Sequence, residues 1–302
     1  MPKTVLITGA SGLVGSRLTE VLQESGYQVA HLGRYKTSKK LVKSYTWDIS
    51  KGFIEYGALE NANIVVHLAG AGIADSRWTN KRKEEILQSR VQTTELLYRK
   101  LTTIKSPCEA FISASAIGIY GLNTGDSWLN EDAPPGSGFL AEVTRSWERE
   151  IASFEELKLR VVTLRIGIVL SKRGGALPKL AQSIRMNLGA VLGSGRQYMS
   201  WIHIDDLCGV IAKAIDDNKL VGIFNAVAPD AVTNEEFTRT MAQVMKKPLW
   251  LPAVPGWALT VILGEMAQLV LGGNRVSANK IRSFGYEFKF DEVLPALEEL
   301  LG

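Results

Sequence analysis

Three glycines near the start of the chain are spaced for holding phosphate. "TGASGLVG" sets Gly9, Gly12 and Gly15 three residues apart. An apolar run, "KTVLIT", precedes them, and a segment of helical period, "LVGSRLTEVLQES", follows. Where a strand turns tightly into a helix, backbone N–H groups and the positive end of the helix dipole converge, and glycine lets an anion approach the backbone. The pattern predicts a dinucleotide site contacted by Gly9, Ser11, Gly12, Leu13, Val14 and Gly15. Glycines serving only the turn are the alternative, and the strand and helix on either side weigh against it.

The next segment indicates which dinucleotide. An acid about 20 residues beyond the glycines would hold the ribose hydroxyls of NAD. No acid lies between Ser25 and Trp47, whereas Arg34, Lys36, Lys39, Lys40 and Lys43 do. Gly33 and Arg34, at the end of the second apolar run, are candidate cofactor contacts, and the Arg34 guanidinium can pair with a 2′-phosphate and stack on adenine. The expected cofactor is NADP(H), with a solvated basic loop as the bland alternative. Asp48, in "TWD", is a candidate acceptor for the adenine amine or a simple turn acid.

The elements that must position these residues alternate. Apolar runs at 3–8, 27–32, 63–70, 109–115 and 159–170 are interleaved with helical patterns at 13–25, 80–103 and 139–156. Repeated strand–helix–strand units imply a parallel sheet covered on both faces. The expected fold class is α/β: a Rossmann-type doubly wound sheet over residues 1–170, completed by segments around 199–225. A smaller, mostly helical C-terminal lobe is expected over 171–302. There "VTNEEF" reads as a capping box with Thr233 as N-cap and Glu236 three residues on, and 257–271 reads as one long helix.

Composition excludes several classes. The chain has 302 residues, 46% of them hydrophobic and 22% charged, with a formal charge of +4. That suits a globular protein with a sizeable core, and so small a basic surplus is no nucleic-acid signature. Two cysteines, Cys108 and Cys208, form no framework and point to a reducing, cytoplasmic setting. The three histidines have no metal-ligand spacing, so no metal is expected. The most apolar stretch, 249–264, holds two prolines and is too short to span a bilayer. The expected partner is a small-molecule substrate of unknown identity, bound by a monomer or homodimer, with neither nucleic acid nor membrane involved.

With these residues in place, the chain resembles the extended short-chain dehydrogenase/reductases, and within them the atypical epimerase-like branch of the YfcH type. The stretches that carry the resemblance include "TGASGLVGSRL", "HLAGAGIADSRWT", "SASAIGIYG", "LRIGIVLSKRGGAL", "GSGRQYMSWIHIDDL" and "GEMAQLVLGGNRV". The resemblance implies a nicotinamide-cofactor domain with a substrate lobe. By position it implies cofactor contacts at Leu68, Ala69, Gly70, Glu85, Arg90, Gly167 and Ile168.

It also exposes a gap. The superfamily moves protons with a tyrosine and a lysine four residues later, aided by a serine or threonine; the ammonium lowers the phenol's pKa from near 10. Alignment on Trp147 and Glu148 puts Phe139 at the tyrosine and Val143 at the lysine, and no tyrosine or lysine occurs between Gly121 and Leu157. Ala116 falls at the serine, with Ser115 one step away. The one Y-x-x-x-K, "YKTSK" at 35–39, belongs to the adenosine end and reads as coincidence. Either Ser115, Tyr120, Glu142 or water replaces the pair, or the chain binds NADP(H) without turnover. General acid–base help is worth about 10²–10⁴-fold, so a reaction survives its relocation.

Four further residues are candidates for the substrate pocket. Arg77 and Trp78 follow the fourth strand, where ligands bind in open α/β sheets, with plain packing of the tryptophan as the alternative. Phe139 and Trp201 complete the set. His203 reads as structural, with Asp205 as a helix N-cap, and Tyr120 as architectural.

Overall fold

The computed structural model describes residues 3–36 and 42–302. Its strands are β1 (Thr4–Thr8), β2 (Gln28–Gly33), β3 (Lys43–Asp48), β4 (Phe53–Ile54), β5 (Ile64–His67), β6 (Ala110–Ala116), β7 (Asn123–Leu129), β8 (Arg160–Ile166), β9 (Ile168–Leu170), β10 (Tyr198–Met199), β11 (Trp201–His203), β12 (Gly222–Ala226), β13 (Val232–Thr233) and β14 (Gly273–Val276). Its helices are α1 (Leu13–Glu24), α2 (Asn80–Thr103), α3 (Phe139–Ala152), α4 (Ala176–Arg185), α5 (Ile204–Asp216), α6 (Asn234–Val244), α7 (Gly256–Leu263), α8 (Gln268–Leu271), α9 (Asn279–Ser283) and α10 (Val293–Leu301). Among these residues one eight-stranded sheet runs β12-β8-β6-β5-β1-β2-β3-β4. Every pairing in it is parallel except β3 with β4.

The apolar runs are continuous because both faces of the sheet are covered. Val5 and Ile7 join one buried cluster, with Leu18, Val66, Ile112, Leu207 and Ile211. Leu6, between them, points the other way into a cluster with Val65, Phe111, Trp147 and Phe154. Residues one apart on a strand face opposite sides, so the alternation divides the two layers. A third cluster, around Leu170, Leu177, Trp201, Phe237 and Leu297, lies under α4, α6 and α10.

Three expectations need correcting. The run 159–170 is two strands, not one. Gly167 bonds back to the Ala226 carbonyl, and a Cβ there would lie 2.4 Å from the Ser200 carbonyl. After that crossing, β9 leaves the main sheet to pair with β11. Of the segment around 199–225, only β12 joins the main sheet; β10 and β11 pair elsewhere. The helix expected over 257–271 is broken: Gly264 takes φ +60 after α7 and a 3₁₀ turn leads into α8. The capping box at α6 forms as the sequence indicates, with Thr233 and Glu236 bonded reciprocally.

Asp206 ties the C-terminal segment to the sheet layer. It is 1% exposed and accepts from the backbone N–H groups of Lys289 and Phe290 at 2.7 and 3.0 Å and from the Tyr286 hydroxyl at 3.0 Å. Asp206→Ala removes the acceptor of the buried Phe290 N–H and of the Lys289 N–H, while the Tyr286 hydroxyl keeps the Asp206 backbone carbonyl at 2.9 Å, and is expected to cost about 2–3 kcal/mol. Asp206→Asn, which keeps an acceptor, is expected to cost less. Urea unfolding of the two variants checks the ranking, and equal midpoints for alanine variant and parent would refute it.

Candidate functional site

The glycine turn is built by contact between backbones. Gly9 takes φ +66, and a Cβ on it would lie 2.6 Å from the Leu68 carbonyl oxygen. A Cβ on Gly15 would lie 2.6 Å from both the Ala10 Cα and the Gly9 oxygen. These two glycines let the turn, α1 and the end of β5 touch. Gly12 differs: it is exposed, extended at φ −76, and N-caps α1 with no side-chain bond and no acid in the first turn. The helix's first N–H groups, around Leu13 and Val14, are left to an incoming anion. Ser11 is exposed beside them.

The opposite wall follows β5. The Thr8 hydroxyl accepts from the N–H groups of Leu68 and Ala69 at 3.1 and 3.2 Å and bonds His67 Nδ1 at 2.7 Å. His67 is fully buried; burial, then the Arg90 charge, pushes its pKa down to about 3, so it is neutral. Arg90 backs Gly70: its Nη1 donates to the Ala71 and Ile86 carbonyls at 3.1 and 2.9 Å. Its guanidinium stacks on Trp147 at 5.2 Å, and burial pulls its pKa down to about 10. Arg90 thus shapes the wall from behind. Glu85 is exposed and ion-paired with Arg82 at 2.7 Å; no contact brings it to the turn.

At the carboxyl ends of β2 and β3 opens a cavity of about 610 Å³, lined by Arg34, Tyr35, Trp47, Asp48, Ile49 and Phe53 among others. Arg34 follows Gly33 directly, is exposed, and has no ion pair among the described residues. The other bases differ in state. Lys36 is neutralised by Glu55 at 2.8 Å, whose carboxyl that lysine and the Thr46 donors hold down at about 2. Lys43 lies over the Tyr45 ring at 5.2 Å, and Lys39 and Lys40 lie outside the described residues. Asp48 lines the cavity, but its Oδ1 accepts from Ser50 Oγ at 2.6 Å and Lys51 N at 3.3 Å. Its Oδ2 lies 3.3 Å from Lys51 Nζ.

Two of the catalytic candidates, Ser115 and Tyr120, are joined in one hydrogen-bonded network, and Glu142 stands apart from it. Ser115 Oγ donates to Glu148 Oε1 at 2.6 Å. Glu148 is gripped by Arg165, whose Nε and Nη2 each donate at 2.9 Å. Arg165 Nη1 also donates to the Tyr120 hydroxyl at 3.0 Å, which meets Asn225 Oδ1 at 2.7 Å. Burial pushes the Tyr120 phenol up despite the guanidinium. Tyr120 is therefore a strut and Ser115 a partner of a paired carboxylate. Glu142 is exposed on α3, apart from both. Sequence reasoning did not single out Glu148, Arg165 and Asn225; the signal for Arg165 was a lone cation inside an apolar strand.

The pocket candidates are redistributed too. Trp78 is buried, donates to the Ile73 carbonyl at 2.8 Å and meets Phe139 edge-on at 5.0 Å. The two share an apolar cluster with Val143, Met266 and Leu269. Arg77 reaches the Ile262 carbonyl on α7, and Lys83, above the Phe139 ring, pairs with Glu265. Phe139 and Trp78 thus pack where the second lobe meets the loop after β5. Trp201 is 0% exposed in the third cluster and cannot line a pocket. Gly167 and Ile168 mark the crossing between the sheets. His203, not Asp205, caps α5, its Nδ1 accepting from the Asp205 N–H at 3.1 Å; Asp205 pairs with Arg17 at 2.7 Å. Burial pushes the Cys108 and Cys208 thiols up to about 11 and about 12, so both behave as apolar residues.

The unclaimed helix N-terminus, the glycine contacts and the cavity beside Arg34 together fit a dinucleotide lying from Gly12 towards β3. The glycines are expected to separate by role. Gly15→Ala forces a methyl into backbone and is expected to cost about 1–3 kcal/mol of stability. Gly12→Val, whose Cβ would lie 3.2 Å from the Gly9 carbonyl oxygen, is expected to lower the melting temperature less than Gly15→Ala while blocking the approach of a pyrophosphate. Thermal melts with and without dinucleotide check both; dinucleotide stabilisation of the Gly12→Val protein would refute the placement.

Comparison with known proteins agrees with this geometry. Residues 5–226 match the model of the NAD dependent epimerase/dehydratase family, and residues 254–300 match a domain of unknown function, DUF1731. An epimerase family protein of Staphylococcus aureus (strain NCTC 8325 / PS 47) is 35% identical over 303 residues, covering 99% of each chain. The crystal structure of human epimerase family protein SDR39U1 (isoform 2) with NADPH superposes with a TM-score of 0.89 at 30% identity, covering 99% of each chain. A nucleoside-diphosphate sugar epimerase from Corynebacterium glutamicum superposes with a TM-score of 0.81 at 34% identity, covering 100% of this chain and 59% of that one. With the parallel sheet and the glycine turn, these matches establish that the chain belongs to the NAD-dependent epimerase/dehydratase family, in an atypical, extended short-chain dehydrogenase/reductase branch.

Proposed function

We propose that the chain binds NADP(H) along the Gly9–Gly15 turn and acts as an atypical reductase or epimerase on a polar, nucleotide-linked substrate. The observation that carries the cofactor is Arg34, a cation without an ion pair among the described residues, at the rim of a cavity that follows an acid-free segment. The human relative solved with NADPH supports the same choice. When bound, the nicotinamide supplies a hydride donor or acceptor. The protein's part is to hold the pyrophosphate on α1, pair Arg34 with the 2′-phosphate and exclude water with Trp78 and Phe139. The nucleotide-linked substrate rests on the name of the Corynebacterium glutamicum relative. It would lie between the carboxyl edge of the sheet and the C-terminal segment. The free thiols suit a reducing compartment such as the cytoplasm, and no helix among the described residues is long and apolar enough to cross a membrane.

The state of the proton-transfer candidates favours a second reading, a regulatory protein that binds NADPH without turnover. Phe139 and Val143 are apolar and packed, Tyr120 is locked in a buried network, and Glu142 faces solvent. Ser115 alone remains beside the family's proton-transfer position, and its hydroxyl is held by Glu148.

Fluorescence titration is expected to show NADPH binding more tightly than NADH. Arg34→Ala is expected to weaken NADPH by roughly 1.5–3 kcal/mol, the worth of a charge-assisted phosphate contact, and to leave NADH unchanged. Equal affinities would refute the proposal. If sugar nucleotides are turned over, Glu142→Gln is expected to have no effect on kcat and Ser115→Ala to lower it by about 10²-fold or more. No turnover across a broad screen, with tight NADPH binding, would select the second reading.

A further inference from the structure

Arg275, on β14, is held in an unusual way. Its guanidinium lies 4.3 Å from the Trp128 ring centroid and 4.8 Å from that of Tyr198. Its Nε is buried without a hydrogen-bond partner, and it forms no ion pair or hydrogen bond among the described residues. Structural arginines in this protein look different. Arg160 fills the carbonyls of Ala214, Ile215 and Leu220, and Arg165 grips Glu148 at both carboxylate oxygens. Five N–H donors set in a planar fork, positioned by two rings and given no acceptor, lack the component a guanidinium pairs with best: an oxyanion.

The surroundings are rigid and close to the edge where ligands bind in such sheets. β14 lies parallel to β7, with Arg275 opposite Trp128. The Ser200 hydroxyl donates to the Asn274 carbonyl at 2.8 Å and accepts from Val276 N at 2.9 Å, spanning Arg275 on both sides. Asn274 Nδ2 donates to the Gly121 carbonyl at 2.7 Å. Ser200 in turn abuts Gly167, at the carboxyl end of β8. Segments that follow β6 and β8 therefore fix the fork in place. Trp128 is 50% exposed, so one ring of the clamp faces solvent.

We infer that Arg275, clamped between Trp128 and Tyr198, is an oxyanion anchor for the substrate, taking a phosphate or carboxylate group in the fork of its guanidinium. The inference deepens the proposed function, in that it rests on a polar substrate entering between the sheet edge and the C-terminal segment.

The test uses the full chain saturated with NADPH and, separately, free of it. Calorimetric titrations with inorganic pyrophosphate, UDP and glucuronate probe the anchor. Arg275→Gln is expected to weaken the anion that binds by about tenfold or more, the loss of a charge-assisted contact. Arg275→Lys, which keeps the charge but not the fork, is expected to fall between. Trp128→Ala is expected to weaken it less than Arg275→Gln and Trp128→Phe least. Loss confined to pyrophosphate and UDP assigns a phosphate, and loss confined to glucuronate assigns a carboxylate; both support the anchor. NADPH affinity is expected to be unchanged in all four variants, and melting curves confirm that they fold. Should Arg275→Gln not fold, Arg275→Lys and Trp128→Ala carry the test. Equal binding of every probe by parent and variants, or no binding of any probe by the parent, overturns the inference. Failure of NADPH to bind the parent sinks the cofactor reading alone, and the titrations without NADPH still decide the anchor.

Discussion

A buried guanidinium organises the edge of the sheet at which the chemistry is expected. Arg165 is 5% exposed, and a charge so placed is tolerated only when its donors are filled. Glu148 takes two of them, the Tyr120 hydroxyl one, and the Glu131 carbonyl shares the same nitrogen at 2.9 Å. Each partner is held in turn. Ser115 bonds Glu148, Tyr120 bonds Asn225, and the Asn225 N–H donates to Glu131 Oε1 at 2.7 Å. The network joins β6, β8, β12, α3 and the loop before α3. Such networks stand or fall together, because each unpaired member would carry the full cost of desolvation.

That requirement accounts for the fate of the proton-transfer candidates. A tyrosine that must satisfy an arginine and an asparagine cannot also swing to a substrate. A serine bonded to a paired carboxylate is positioned but not free. On the other face of α3, Phe139 and Val143 make an apolar contact with Trp78 and the C-terminal segment. The helix that in the wider superfamily presents an acid–base pair here presents a packing surface on one side and a structural carboxylate on the other.

The cofactor end follows a different constraint, steric rather than electrostatic. Gly9 and Gly15 leave no room for a Cβ because α1 and the end of β5 close upon the turn. His67, neutral in its buried place, holds Thr8, and Thr8 holds the N–H groups of Leu68 and Ala69. The wall of the candidate site is thereby continuous with the core of the sheet, while Gly12 and Arg34 stay exposed.

What the sequence by itself determined was whatever local periodicity and turn chemistry encode. The parallel sheet, α2, the glycine turn, the capping box at Thr233 and the basic, acid-free stretch after β2 are all written in neighbouring residues. The breaks at Gly167 and Gly264 were less legible, because one glycine in an apolar run signals a kink only once its neighbours in space are known. Contacts between distant segments were decided by the tertiary structure alone. It buried Trp201, took Lys36 out of play by pairing it with Glu55, and made His203 rather than Asp205 the cap of α5. It joined Arg165 to Glu148 and set Arg275 between Trp128 and Tyr198. A charged or aromatic side chain takes its role from which acceptor or ring lies within a few ångströms, and that neighbour comes from far along the chain.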